Sequence, residues 1–214
     1  MSVVNGTIAA GADDGQLHYS GGWLIDNTGQ LAYFGRWSSN PEFVWLRFTL
    51  GATIPSGATI DSANLACYGY SDHNVHDWWA YVTESGDAPN PADASYRPSW
   101  ASSGNTTTYP AAEEGAGAFH DTTGDWAASA WNTKDIKTLI QHLVDTYGGL
   151  ASGAHIVVWL VGDNALSDVE NDFEAYDFPD KTATLQITYS AGGVQAGGGA
   201  ADDRFRFRPS ARLG

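Results

Sequence analysis

The chain has one cysteine, Cys67, among 214 residues. A single thiol excludes an internal disulfide, so the fold must be held by its core alone. Cys67 falls in an apolar segment and reads as a small buried hydrophobe. Cations are equally scarce: 10 Lys and Arg stand against 25 Asp and Glu, a formal net charge of −15. Such a balance excludes a nucleic-acid backbone as the main partner, because that surface needs Lys and Arg to displace counterions. No apolar run is long enough to cross a bilayer, and no secretion leader follows Met1, so a soluble product made in the cytoplasm is expected. The enzyme motifs are missing too. There is no G-x-S-x-G, H-E-x-x-H, phosphate loop or Cys-His pairing, and a non-enzymatic protein is expected.

What is abundant is glycine, 25 residues, and tryptophan, nine. Many turns and many aromatics suit a β protein of one domain better than a helical bundle. The segment Phe43 to Tyr70 shows why. In FVWLRFTL, Val44, Leu46, Phe48 and Leu50 share one face. In DSANLACYGY, Ala63, Leu65, Cys67 and Gly69 alternate with Asn64, Ala66, Tyr68 and Tyr70. Two half-buried strands joined across Pro55-Ser-Gly57, with Ile54 and Ile60 as inward anchors, require a further apolar layer over them.

Upstream, residues 2 to 10 read as an edge strand, and apolar pieces at Leu17 to Tyr19, Trp23 to Ile25 and Leu31 to Phe34 read as a meander punctuated by Gly21, Gly22 and Gly29. Downstream, Trp78 to Val82 is strand-like, and residues 85 to 118 form a long Pro-bearing loop pinned by Tyr96, Trp100 and Tyr109. One helix is expected over 134–147, with Thr133 as N-cap, an apolar stripe of Ile136, Leu139, Ile140, Leu143, Val144 and Tyr147, and Gly148 as terminator. GAHIVVWLVG at 153–162 reads as a buried central strand, and ATLQITY at 183–189 as an alternating one that closes the body.

Ile54-Pro-Ser-Gly-Ala-Thr-Ile60 with Ala63 and Leu65, the Trp-rich middle, the helix, GAHIVVWLV and the closing Ala183 to Tyr189 together resemble the DNRLRE-type β-sandwich domains over about residues 8 to 190. The resemblance implies an all-β, antiparallel jelly-roll β-sandwich with one short amphipathic helix. It also implies a module of the kind seen in cell-surface and carbohydrate-active proteins and, standing alone, in phage particles. The region from Asp163 to Asp180 resembles the loop that precedes the last strand in that family.

Three candidate sites follow. The acid-rich region offers Asp163, Asp168, Glu170 and Asp172 as oxygen donors for calcium, a hard cation that takes several carboxylates from one flexible segment. Trp78, Trp79 and Trp100, with Trp126 and Trp131, are candidates to stack on sugar faces. His73 and His76 with Asp72 and Asp77 match no standard metal spacing and read as a solvated loop. The third site is the C-terminus. Residues 1–190 carry 6 Lys and Arg against 23 Asp and Glu, whereas the last 24 carry 4 against 2. A Gly/Ala-rich linker at 191–201 leads to a docking tail at 202–214, where Arg204, Arg206 and Arg208 alternate with Phe205 and Phe207. The expected product is a structural protein of a phage particle, a capsid decoration or appendage subunit. It would be made in the host cytoplasm and located in the virion, homo-oligomeric, and partnered by capsid or other virion proteins. A glycan-binding module acting in adhesion or host-surface recognition is the alternative.

Overall fold

A computed structural model describes residues 1–19, 23–27, 31–37, 40–70, 78–93, 119–121, 127–162, 169–174 and 180–191, with the backbone alone at 19, 23, 36–37, 40–41, 119–121 and 169–174. The fold is all-β, with antiparallel pairing throughout the described strands and one short helix. In chain order the strands are β1 Ser2–Thr7, β2 Asp14–Tyr19, β3 Trp23–Asp26, β4 Leu31–Trp37, β5 Asn40–Leu50, β6 Thr59–Gly69, β7 Trp78–Val82, β8 Phe119–Asp121, β9 Ala130–Asp135, β10 His155–Gly162, β11 Val169–Glu174 and β12 Thr184–Ser190. Helix α1, Lys137–Tyr147, lies between β9 and β10.

The two 11-residue strands β5 and β6 are the spines. β5 is paired with β10 from Phe43 to Thr49. Along β5 also run β2, from Asp14 opposite Leu46 to His18 opposite Glu42, and the end of β1, where Gly6 meets Leu50. β6 is paired with β12 along Thr59 to Ala66 and with β9 along Asn64 to Gly69. The layers are joined where β1 pairs both β12 and β5, and where β11 pairs both β4 and, at Phe173 opposite Gly69, β6. Because β4 pairs β5 in turn, the hydrogen-bonded path β1, β12, β6, β11, β4, β5 returns to β1.

Inside this circuit sits the main core. Val44, Leu46, Phe48 and Leu50 of β5 and Ile156, Val158 and Leu160 of β10 face Ala63, Leu65 and Cys67 of β6 and Leu185 and Ile187 of β12. Both anchors, Ile54 and Ile60, are buried there. Alternation on β6 is as the sequence dictates: the odd positions from Ala63 to Gly69 are buried and the even ones half-buried. Burial pushes the Cys67 thiol far above its ordinary range, leaving it uncharged and inert.

A second apolar layer lies on the other face of the β5–β10 pair, where Leu17, Phe43, Trp45, Tyr81, Val157, Trp159 and Val161 pack with Ala88. This explains the continuous apolar run of β10, whose residues alternate between two cores. Trp45 and Trp159 pack with ring centroids 6.1 Å apart. The Trp45 ring lies so close over β2 that a Cβ on Gly15 would stand 2.4 Å from it, which restricts that position to glycine.

Four expectations are corrected. β1 is not an edge strand at its C-terminal end, because the outer layer needs a strand that crosses to β5. The meander breaks after β3: β2 and β3 form a hairpin, but β4 pairs β5 and β11 instead. Thr133 is not an N-cap. It lies in β9 opposite Ala66, and the helix starts at Lys137, whose N–H donates to an Asp135 Oδ1 3.1 Å away that also accepts from the Ala63 N–H at 2.8 Å. Finally, the stretch before the last strand is not one loop, since Val169–Glu174 pairs with β4 as β11.

The helix buries Leu139, Ile140, Leu143 and Val144, leaves Tyr147 40% exposed, and ends at Gly148 in the left-handed conformation (φ 68°). Truncating Leu65, which is 1% exposed between the spines and the helix, tests the core. Leu65→Ala is expected to cost about 2–5 kcal/mol in chemical denaturation.

Candidate binding face

The outer surface of the layer β1, β12, β6 and β9 is built by simple alternation. Side chains opposite in register share a face, so Asn5, Gln186, Asn64 and Asp135 form one row across the strands. Thr7, Thr184, Ala66 and Thr133 form the next, and Tyr68 with Trp131 a third. Trp131 is 48% exposed and meets the half-buried Tyr68 edge-on, with centroids 5.6 Å apart at 82°. The Lys181 ammonium lies 4.1 Å from the Tyr68 ring centroid, a cation–π contact. Tyr70, just beyond β6, is 52% exposed.

Trp131 is held by a polar clip on the other side of its strand. Buried Asn132 accepts from the Ala127 N–H at 2.8 Å and donates to the carbonyls of Ala127 at 3.1 Å and Ala130 at 3.2 Å. Within the turn, Ser129 takes a positive φ of 52°, and its N–H donates to Gly69 O at 2.9 Å. A non-glycine residue in that conformation is strained and persists only where surrounding bonds over-determine it. Asn132 supplies them.

A second polar cluster straps residues 83–93 to the body. Glu84 Oε1 lies 2.7 Å from His142 Nε2 on α1. Asp87 Oδ1 accepts from the His155 N–H at 2.9 Å and lies 2.7 Å from His155 Nδ1. Arg47 donates to Ala88 O at 3.2 Å and pairs with Asp13 at 2.7 Å. Hydrogen bonding to His155 holds the Asp87 carboxyl below its usual range.

The sequence candidates are scattered by these elements. Trp78 is fully buried in the main core, edge-on to Phe34 with centroids 5.8 Å apart, so its ring presents no face to a sugar. Trp79 is half-buried against the second apolar layer. Trp100 and Trp126 lie outside the described residues, as do Asp163, Asp168, the His73–His76 loop and the docking tail with Arg204, Phe205, Arg206, Phe207 and Arg208. Glu170 and Asp172 stand two apart on β11, opposite Gly35 and Tyr33. Among the described residues, no three His, Cys, Asp or Glu side chains gather as a metal site, and no helix is long and apolar enough to span a membrane. Tyr68 and the amide row were not singled out in the sequence as a surface, although their alternation with the buried β6 residues marks them.

No protein-family model matches the chain, and no curated protein matches it in sequence.

Two outcomes are expected. Asn132→Ala leaves buried backbone groups of the 127–130 turn without partners, costs about 1–3 kcal/mol, and alters the near-ultraviolet dichroism of the Trp131 environment. Asp87 has a depressed pKa, so its contribution to stability is present above the unfolded carboxylate range near pH 4 and is lost as pH falls through the folded value. Because Asp87 is largely exposed, Asp87→Asn should cost less than about 1 kcal/mol at neutral pH and flatten the acid limb of the melting curve.

Proposed function

We propose that the chain is a non-enzymatic structural protein of a bacteriophage particle, a capsid decoration or appendage subunit. Its body is a jelly-roll β-sandwich, and it docks through its C-terminal arm. The observation that supports this reading is the position of β12. That strand is hydrogen-bonded on one edge to β1 and on the other to β6, and it ends at Ser190. Both its ladders are therefore complete before the Gly/Ala linker and the Arg/Phe segment begin, so β12 needs nothing from them for its own pairing. Their charge is opposite to that of the body, which favours docking onto an acidic protein surface. The resemblance of residues 8 to 190 to stand-alone phage modules points the same way.

A second reading, glycan binding, is favoured by the exposed Trp131 beside cross-strand rows of amides and threonines. An aromatic ring takes the apolar face of a sugar while Asn64, Gln186 and Thr133 hydrogen-bond its hydroxyls.

Removing residues 191–214 is expected to leave the melting curve unchanged and to abolish incorporation into particles, read by mass spectrometry of purified virions. Normal incorporation of the shortened chain would refute docking through the arm. For the glycan reading, Trp131→Ala should abolish retardation in native gels cast with host-surface polysaccharide; equal mobility of the parent protein with and without polysaccharide would refute it.

A further inference from the structure

We propose that the arm of one copy adds as an extra strand to the open edge of β9 on a neighbouring copy. Arg204, Arg206 and Arg208 would then lie on the face that carries Trp131, Thr133 and Asp135. The inference rests on the reading that the arm is the docking element, and it names the acceptor.

Among the described residues, β9 is hydrogen-bonded along one side only, to β6. The phase of that ladder follows from one bond, the Ile136 N–H to Ala63 O at 2.8 Å. In an antiparallel pair successive residues direct their backbone groups alternately toward and away from the partner. The N–H and C=O of Trp131 and Thr133 therefore point outward from β6. An edge of this kind is a template for another strand, through main-chain bonds that need no special sequence.

Side chains give the specificity. Trp131, Thr133 and Asp135 are all exposed and recur at every second residue on one face. The arm arginines recur with the same period. An added strand therefore sets a guanidinium over the Trp131 ring and another beside the Asp135 carboxylate. Phe205 and Phe207 turn to the core side of the layer, where they cover apolar area at its rim. The charge sense agrees, with a basic arm meeting an acidic body.

The geometry of β6 favours a neighbour over the arm's own body. Ser190 stands opposite Thr59 and Trp131 opposite Tyr68, at the two ends of β6. Nine residues of strand separate them, roughly 30 Å. The linker at 191–201 is rich in Gly and Ala, and a coil of that composition leading to Arg204 has a mean end-to-end distance of about 20 Å. The 13 residues 191–203 reach roughly 45 Å at full extension, so the chain's own β9 lies within reach but beyond that mean span, whereas a neighbour can present its edge at the natural span. A contact between unlike surfaces propagates from copy to copy, as an appendage or a decorated lattice requires.

The test uses the full chain. Light scattering at rising concentration is expected to show association, and Thr133→Pro, which removes an outward N–H without breaking the β6 ladder, should make the protein monomeric at an unchanged melting temperature. Trp131→Ala should weaken association by roughly fivefold through loss of the cation–π contact. Mixing Thr133→Cys chains with Arg206→Cys chains under oxidising conditions should give a covalent dimer, with the buried Cys67 silent. If Thr133→Pro associates like the parent and the two cysteine chains do not cross-link, the β9 acceptor is refuted while the arm reading stands. If charge reversal of Arg204, Arg206 and Arg208 to Glu leaves association intact, both fall. A full chain that stays monomeric at every concentration refutes the neighbouring copy as partner.

Discussion

Everything else in the molecule is arranged around the β5–β10 ladder, which is buried on both faces. Its seven paired positions send Val44, Leu46, Phe48, Ile156, Val158 and Leu160 to one side and Phe43, Trp45, Val157, Trp159 and Val161 to the other. A sheet wet on one face would need one covering layer; this one needs two. The first is the β6–β12 layer with α1. The second is thinner, and the 83–93 segment contributes Ala88 to it. That segment is therefore fastened by polar bonds as well as by burial. Arg47 illustrates the economy, since one guanidinium ties the 3-10 turn at Asp13 and the carbonyl of Ala88 to β5 itself.

With its inner side committed to the core, the outer layer is free to carry a polar surface. The same alternation that buries Leu65 and Cys67 leaves Asn64 and Tyr68 half-exposed, so core and surface are specified by one pattern. Trp131 departs from it in kind: a large apolar ring placed in solvent and fixed there by a buried amide and a strained serine. Exposed apolar surface held rigidly, on a strand that among the described residues is paired on one side only, is the combination that partners use.

How much of this was legible beforehand depends on the range of the interaction. Periodicity within a segment, as in β5, β6, β10 and α1, reports which residues face inward, and on α1 it holds for Leu139, Ile140, Leu143 and Val144 but not for Tyr147 at the helix end. Pairing over long separations leaves no local mark. Nothing in SVVNGTIAA announces that Gly6 will lie between Leu185 and Leu50, and its sequence suits an edge strand equally well. The tryptophans show the same limit. Trp78 and Trp131 both sit in aromatic, strand-forming stretches, and only the partners of β7 and β9 make one a core ring and the other a surface ring. Thr133 failed as a cap for a related reason: pairing with Ala66 extended the strand, and Asp135 took over the backbone bonds at the helix start.

The double pairing of β1 also bears on how the chain reaches this state. Its partners are residues 184–190 and 49–50, so β1 cannot complete its pairing until residues 184–190 have been made. Contacts of such separation are entropically expensive to form early, and proteins rich in them fold slowly. Ring closure by β1 is thus a late event, and until it occurs β12 offers an unpaired side. A partially assembled chain passes through a stage in which β12 can be captured by another molecule, and the finished protein has passed beyond it.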